Sequence, residues 1–337
     1  MHFFLRFSRW LLVPALFTAS LAGAKELKVF ILAGQSNMVG HGKMEMGFDP
    51  EGSGKEIEGG IGSMRWLIGE QPEKFGPNGK MPIVDAEGKW LVRDDVFIHF
   101  TYEKGVEKGA LAPGFGKGNW IGPEYAFGHV IGSAVSEPVL LIKTAWGGKD
   151  LGVDFRPPSS GDTELGKGKR EPGAYYREMI EIIKTVLANF EDEFPDLKGY
   201  TPELVGFGWH QGWNDGGSKE MVEEYGQNLE NLIHDVRKDL NAPELRFVIA
   251  NTGMIGWPKD GKDGGIRAQL ADMQLSIADP KKYPDLAGTV AAVETRDFDR
   301  PREKSPSNFG YHWKHNGESH WLIGEAMAEA MLELIEQ

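Results

Sequence analysis

The chain has 337 residues, of which 40% are hydrophobic and 26% are charged, a composition typical of a globular protein with a sizeable core. Its 50 acidic residues outnumber its 37 basic ones, for a formal net charge of −13 at pH 7. An acidic surface repels phosphate backbones and anionic lipids, so we expect neither nucleic acid nor a membrane surface as a partner. The chain contains no cysteine, which excludes disulfides, a thiol nucleophile and a lipoprotein anchor.

The first 24 residues have the pattern of a secretory signal peptide. Arg6 and Arg9 precede an apolar run at residues 10–21, and the small residues 22–24 form a cleavage site. The run is about a dozen residues long, shorter than the ~20 that a membrane-spanning helix needs. We therefore predict a secreted or periplasmic protein with no membrane insertion after signal cleavage. An uncleaved anchor or a buried helix is the alternative.

Beyond this segment, short runs of apolar residues alternate with longer runs in which apolar residues recur every three or four positions. The first pattern is typical of strands covered on both faces, and the second is typical of amphipathic helices. The predicted strands are residues 27–33, 138–145, 203–210, 245–251 and 287–294, and the predicted helices are residues 123–136, 174–190, 219–240, 266–279 and 316–337. This alternation indicates a doubly wound parallel sheet within a single α/β domain, residues 25–337.

The segment 41–120 interrupts the alternation, because it is rich in Gly, Lys and Glu. Within it, the sequence WLVRDDVFIHFTYEKG, residues 90–105, predicts a hairpin. We interpret the whole segment as one long, loop-rich insertion that follows the first strand.

In an open parallel sheet, ligands bind beyond the carboxyl ends of the strands, near the point where strand order reverses. Polar residues that follow the predicted strands are therefore the candidates for chemistry. They are Ser36 after the first strand, Gln211, Asn214 and Asp215 after the third, Glu294, Asp297 and Asp299 after the fifth, and His312 and His315 before the last helix.

The stretch FILAGQSNMVGHG, residues 30–42, leads from the first strand into a glycine-rich turn that holds Ser36. A helix start follows, so the Ser36 hydroxyl would lie near backbone N–H groups that can bind an oxyanion. Ser36 is either a nucleophile or a helix N-cap, a position at which serine is strongly favoured. A serine nucleophile needs a base. His312 is the candidate base, and a histidine with a purely structural hydrogen bond is the alternative.

The stretch GWHQGWND, residues 208–215, carries Gln211 and Asn214, whose side-chain amides can donate hydrogen bonds to an oxyanion. The residues that follow are typical of a turn that opens a helix. The stretch PKDGKDGG, residues 258–265, lacks the carboxylate spacing of a calcium loop and is predicted to be a solvated turn. No zinc-helix motif and no P-loop occur, and we predict no metal and no cofactor.

Five sequence blocks, in order along the chain, carry a resemblance to a known family. They are GQSNMVGHG, GPEYAFG, LIKTAWGGKDL, WHQGWND and HWKHNGESHWLIGEAM. Together they resemble the branch of the SGNH hydrolases that holds sialate O-acetylesterases and the acetylxylan esterases of carbohydrate esterase family six. The resemblance spans roughly residues 26–335. It implies a three-layer α/β/α sandwich of flavodoxin type, here with a five-stranded parallel sheet, and hydrolysis of O-acetyl esters on sugars.

The resemblance also implies roles for individual residues. Ser36 matches the family nucleophile, and His312 matches the general base. The N–H groups of Ser36 and Gly122 would bind the oxyanion, together with the side chain of Gln211 or of Asn214.

The third member of the triad departs from the family pattern. Many relatives carry an aspartate three residues before the base, where this chain has Phe309. Because an apolar side chain cannot orient a histidine, the acid would be Asp297 or Glu294, with Asp299 and Glu318 as further options. A Ser-His dyad without an acid is the other solution.

The predicted function is that of a secreted serine esterase that removes O-acetyl groups from a carbohydrate through an acetyl-enzyme. Acetylxylan, sialic acid and other acetylated oligo- or polysaccharides all fit. One alternative is a non-catalytic carbohydrate-binding relative that has lost its acid, and another is a lipase-like esterase. Tryptophans at positions 120, 146, 209, 213 and 313 are suited either to sugar stacking or to the core.

Overall fold

The computed structural model describes residues 25–51, 55–258 and 264–337. The predicted signal peptide and most of the predicted turn at 258–265 lie outside these residues. No helix in the described ranges has the length and apolar character to cross a membrane.

The strands are β1 (Lys25–Gly34), β2 (Met46–Phe48), β3 (Glu56–Glu58), β4 (Arg93–Tyr102), β5 (Gly105–Leu111), β6 (Val139–Ala145), β7 (Tyr200–His210), β8 (Arg246–Ala250) and β9 (Val290–Val293). The α-helices are α1 (Ser36–Val39), α2 (Met64–Glu70), α3 (Pro72–Phe75), α4 (Pro123–Ala134), α5 (Ala174–Glu193), α6 (Lys219–Asp239), α7 (Gly265–Ser276) and α8 (Gly317–Ile335). All five strands and all five helices predicted from apolar periodicity are present, with ends shifted by a few residues.

The main sheet has seven strands in the order β5-β4-β6-β1-β7-β8-β9. Only β5 is antiparallel to its neighbour, and the other pairs are parallel. The five strands predicted from the sequence form the continuous block β6-β1-β7-β8-β9, which is the 2-1-3-4-5 order of flavodoxin-like folds. Strand order reverses between β1 and β7, so this fold is expected to bind its ligand beyond the carboxyl ends of those two strands.

The prediction of a five-stranded sheet was wrong, because the hairpin inside residues 41–120 belongs to the main sheet. β4 pairs in parallel with β6 from Val96 to Thr101, and β5 closes that edge. Val96, Ile98 and Phe100 are fully buried, so one face of β4 joins the core as the other strands do. The Gly, Lys and Glu content of residues 41–120 favoured a loop-rich insertion, whereas the apolar alternation within β4 was the correct signal for a strand of the sheet.

Helices cover both faces of the sheet, which makes three layers. Along β1, Phe30 and Leu32 point into the core beneath α4 and α8, whereas Val29 and Ile31 point into the core beneath α5, α6 and α7. This alternation follows from the two-residue period of a strand. It explains why the predicted strands are apolar without interruption.

Candidate active site

The turn after β1 presents Ser36 as the first residue of α1. A Cβ atom at Gly34 would lie 2.2 Å from the His210 carbonyl oxygen, so only glycine lets β1 end this close to β7. Gln35 occupies the N-cap position of α1. The Ser36 hydroxyl therefore does not cap the helix, and its Oγ lies 2.9 Å from Nε2 of His312.

A left-handed turn holds His312 in place. Four consecutive non-glycine residues, His312 to His315, have φ values of 54°, 51°, 54° and 62°. Each such residue costs roughly 1–2 kcal/mol relative to the right-handed form, and strain of this kind collects at functional sites. The turn is held by the fully buried Trp313 and by a 2.5 Å ion pair between Lys314 and Asp299.

A cavity of about 450 Å³ opens above the Ser36–His312 contact. Its walls combine aromatic rings with two lysines and a glycine pair that follows β6. The lining includes Ser36, His41, Tyr102, Glu103, Lys104, Lys117, Gly147, Gly148, Trp213, Asn214, Tyr311 and His312. The cavity lies beyond the carboxyl ends of β1, β6 and β7, the edge at which the sequence predicted a site.

The surroundings of His312 favour its neutral form. Burial lowers the pKa of His312 to about 4, and the nearby His315 and Lys117 act in the same direction. A neutral imidazole at pH 7 can accept the proton of the Ser36 hydroxyl. One face of the His312 ring is covered, because the ring of His41 stacks on it with the centroids 3.6 Å apart.

His41, His312 and His315 place ring nitrogens within 4.8 Å of one another, a spacing that raises the question of a metal site. The rings of His41 and His312 are stacked face to face, with only 19° between their planes. Imidazole lone pairs lie in the ring plane, so two stacked rings do not direct them at one common point. The arrangement does not have the convergent geometry of a zinc centre.

Of the two amides predicted to bind the oxyanion, only Asn214 lines the cavity, where its Nδ2 donates to the Gly148 carbonyl. Gln211 is 1% exposed and lies below the cavity floor. Its Nε2 donates to Asp215 Oδ2 at 2.6 Å and to the Lys149 carbonyl at 2.9 Å. The structure thus brings Asn214 to the serine and uses the Gln211 side chain inside the protein.

Gly122 also lies outside the cavity lining. Its N–H donates to Glu124 Oε1 at 2.8 Å, and Glu124 Oε2 lies 2.6 Å from Lys143 Nζ in a fully buried ion pair. Lys143 also donates to the carbonyl of Val39, the last residue of α1. Gly122 therefore belongs to the scaffold that supports α1, with its N–H already bonded.

No carboxylate of the described residues is hydrogen-bonded to His312. Each of the four acids named from the sequence has another partner. Glu294 pairs with Arg296, Asp297 accepts from Trp257 Nε1, Asp299 pairs with Lys314, and Glu318 pairs with Arg300.

Gln35 is a site residue that sequence reasoning missed. Its Oε1 accepts from Gln211 Nε2 and from the Gly212 N–H, both at 3.2 Å, and from the Asn214 N–H at 3.3 Å. Gln35 is 1% exposed, so its Oε1 is shielded from water and depends on these three donors for its hydrogen bonds. The glutamine thereby fixes the turn after β7, which carries Asn214, against the turn after β1, which carries Ser36. A turn made for geometry alone needs no glutamine. The presence of Gln35 in this glycine-rich turn was therefore the sequence signal that could have identified it as a site residue.

The glycine pair Gly147–Gly148 is a second feature of the site for which the sequence predicted no role. It follows β6 and lies in the cavity wall. The Gly147 N–H donates to Glu103 Oε1 at 2.8 Å, so the β4–β5 turn contacts the site directly.

A sheet of flavodoxin order that presents a serine–histidine pair at its carboxyl edge is the arrangement that the resemblance to the class of the SGNH hydrolases implied. Within that class, the chain belongs to the family of carbohydrate esterases described as sialic acid-specific acetylesterases, whose family model matches residues 26–333. The resemblance seen in the five sequence blocks is thereby confirmed.

The chain is similar to the following relatives at identities of 24% or less. A probable carbohydrate esterase from Arabidopsis thaliana is 24% identical over 222 residues, which are 66% of this chain and 67% of that protein. A crystal structure of an Arabidopsis thaliana protein aligns with a TM-score of 0.52 and 18% identity over 90% of this chain and 97% of that one. The crystal structure of a carbohydrate acetylesterase from Xanthomonas citri aligns with a TM-score of 0.54 and 15% identity, over 90% of this chain and 55% of that one. The crystal structure of NanS aligns with a TM-score of 0.51 and 10% identity, over 93% of this chain and 98% of that one. These structures share the fold.

We expect the Gln35→Leu variant to be less stable than the wild type by about 1–3 kcal/mol or more, because buried donors lose their acceptor. Its esterase activity should also fall, since Asn214 is no longer fixed relative to Ser36. Urea unfolding and hydrolysis of 4-nitrophenyl acetate measure the two effects. Gln227→Leu, at an exposed glutamine of α6, is the matched control and should change stability by less than about 0.5 kcal/mol. Equal unfolding midpoints for Gln35→Leu and the wild type would contradict the assigned role.

Proposed function

We propose that this protein is a serine esterase that removes O-acetyl groups from a carbohydrate through an acetyl-enzyme. The observation that carries the proposal is the 2.9 Å contact between Ser36 Oγ and His312 Nε2 at the base of the cavity. A hydroxyl hydrogen-bonded to a neutral, partly buried imidazole is the arrangement of an activated nucleophile. Membership in a carbohydrate esterase family supports the same reaction.

In the first half of the reaction, His312 takes the proton of Ser36 while Oγ attacks the acetyl carbonyl carbon. The tetrahedral intermediate collapses, the bond to the sugar oxygen breaks, and His312 returns the proton to that oxygen. In the second half, His312 removes a proton from water, whose oxygen attacks the acetyl-enzyme. His312 returns that proton to Ser36 Oγ as the bond to the acetyl carbon breaks, and acetic acid leaves and ionises to acetate in the solvent.

Two donors are placed to stabilise the oxyanion. The Ser36 N–H begins α1 and has no hydrogen-bond acceptor among the described residues, and the Asn214 side chain lines the same cavity. A donor of this kind is typically worth about 2.7–4 kcal/mol of barrier. Because Gln211 and Gly122 lie outside the cavity lining and donate to other groups, we assign them to the support of these two donors. Because no acid contacts His312, we propose the dyad form of the mechanism.

We expect Ser36→Ala and His312→Ala each to lower kcat for 4-nitrophenyl acetate by roughly 10³-fold or more. A fluorophosphonate should label the wild type at Ser36 and leave Ser36→Ala unlabelled, because labelling requires an activated serine. Ser136→Ala, at an exposed surface serine, is the control and should behave as the wild type. A wild-type chain that binds acetylated glycans yet resists labelling would instead identify a non-catalytic binding protein.

Within the carbohydrate class, we propose an acidic sugar as the substrate. Lys104 and Lys117 line the cavity, and neither forms an ion pair with a carboxylate of the described residues. Sialic acid carries a carboxylate that these ammonium groups would attract, whereas an unsubstituted acetylated xylose does not. The family description, which specifies sialic acid, agrees with this choice over acetylxylan.

We expect Lys117→Met to lower the ratio of kcat/KM for O-acetylated sialic acid to kcat/KM for 4-nitrophenyl acetate by roughly fivefold, which corresponds to about 1 kcal/mol for a partly exposed charge pair. Acetate release from the two substrates measures this ratio. Lys219→Met, at an exposed lysine of α6, should leave it unchanged. Faster release of acetate from acetylxylan than from O-acetylated sialic acid by the wild type would reject the acidic-sugar assignment.

We also propose that the chain is exported and that residues 1–24 are removed. The support is the order of arginines, apolar run and small residues at the N-terminus. N-terminal sequencing of the protein secreted by its natural host should begin at Lys25. A chain that retains Met1 would overturn the proposal.

A further inference from the structure

We propose that His41 is the positioning residue for His312, holding the base by ring stacking where a Ser-His-Asp triad uses a carboxylate. The inference rests on the proposed function, since it takes His312 as the base. It assigns to His41 the orientation of the base, for which no carboxylate of the described residues is available.

The contact between the two rings is close and specific. The centroids are 3.6 Å apart with 19° between the planes, whereas Tyr311 meets His312 edge-on at 4.6 Å and 89°. The His312 ring is therefore held by a stacked face from one neighbour and by an edge from another. Stacked and edge-to-face pairs of this kind stabilise one ring orientation. That orientation is the one in which Nε2 reaches Ser36.

The backbone that carries His41 is itself fixed. A Cβ atom at Gly40, whose φ is 99°, would lie 2.3 Å from the Gly122 nitrogen. The backbone at Gly40 is therefore in direct contact with the backbone at Gly122. Gly42 and Ile121 exchange two backbone hydrogen bonds, each 2.9 Å long. His41 is 4% exposed between these two anchor points. Its ring is therefore a rigid surface for His312 and not a loop side chain.

His41 acts through its ring face. Its Nδ1 is buried without a hydrogen-bond partner among the described residues, so no proton relay runs through that atom. Burial lowers the pKa of His41 far below its usual value, and His312, His320, His315 and Lys117 add to the effect. His41 therefore stays neutral when His312 takes the proton of Ser36. The stacked ring also excludes water from one face of the base.

The titratable groups that face His312 are His41, Tyr311, His315 and Lys117, and the fully buried His320 interacts with it through space. Burial is the largest cause of the low pKa of His312, about 4. Because His41 supplies part of that burial, its removal should admit water and raise the pKa towards the usual value. The acid limb of the kcat/KM profile should then move to higher pH, because His312 must be neutral to act as a base.

The test compares His41→Ala, His41→Phe and His41→Leu, with rates expressed per active site counted by fluorophosphonate. We expect His41→Ala to lower kcat for 4-nitrophenyl acetate roughly 10–100-fold with little change in KM, a part of the ~10²–10⁴ that a positioned base contributes. Its acid limb should move from about pH 4 towards the usual histidine pKa of 6.5. His41→Phe keeps a flat ring and should recover most of the rate and the low acid limb. His41→Leu keeps the bulk without the flat ring and should recover neither.

His234→Ala, at an exposed histidine of α6, is the matched control and should leave both readouts unchanged. If His41→Ala does not fold, the comparison of His41→Phe with His41→Leu decides the matter. Equal rates and acid limbs for those two would overturn the inference. A variant with a lower Tm but an unchanged acid limb and kcat would reduce His41 to a packing residue. Failure of the wild type to label at Ser36 would reject the proposed function itself.

Discussion

The site depends on one contact between neighbouring turns, the acceptance of three hydrogen bonds by the side-chain oxygen of Gln35. β1 and β7 lie side by side where strand order reverses, and each ends in a turn that carries part of the site. Gln35 connects the two turns through its side chain, and Gly34 lets them approach. Without this connection, the turns that carry Ser36 and Asn214 would lose three of the hydrogen bonds that join them. A buried oxygen with three donors is costly to lose, so the geometry is held firmly.

The second constraint is the position of the base. His312 lies in a turn of four left-handed residues, a conformation that the chain adopts only because its surroundings enforce it. Trp313 is buried beneath the turn, and Lys314 is paired with Asp299. The ring of His41 then fixes the imidazole itself. Many relatives hold the base by a hydrogen bond to an aspartate, and Phe309 stands at that position here. The strained backbone turn, the packing of Trp313 and the stacking of His41 together hold His312 instead.

The segment after β1 is part of the active site as well as of the sheet. It supplies the stacking ring of His41, the pocket lysines Lys104 and Lys117, and the wall residue Tyr102. Tyr102 and Lys104 reach the cavity because β4 joins the sheet beside β6 and the β4–β5 turn then lies over the strand ends. A loop-rich composition hid this architecture, because the strands of the hairpin are flanked by long irregular stretches. The same segment that interrupts the sequence pattern shapes the cavity.

The sequence by itself determined the class of the fold, five of the sheet's seven strands, the flanking helices and the edge at which the site lies. Apolar periodicity carries this information because it reports which faces must be buried. The resemblance of the five sequence blocks singled out Ser36 and His312, whereas the local pattern alone left Ser36 open between nucleophile and N-cap, and His312 between base and structural histidine.

Only the tertiary structure decided which residues share the cavity. Gln211 turned inward and Asn214 outward because Asp215 and Gln35 bind the Gln211 amide. Glu294 and Asp297 were drawn to Arg296 and Trp257, away from His312. Such choices depend on competition among partners that are distant in sequence, and no local pattern encodes them. The physical reason is that a side chain bonds the best partner within reach, and reach is set by the fold.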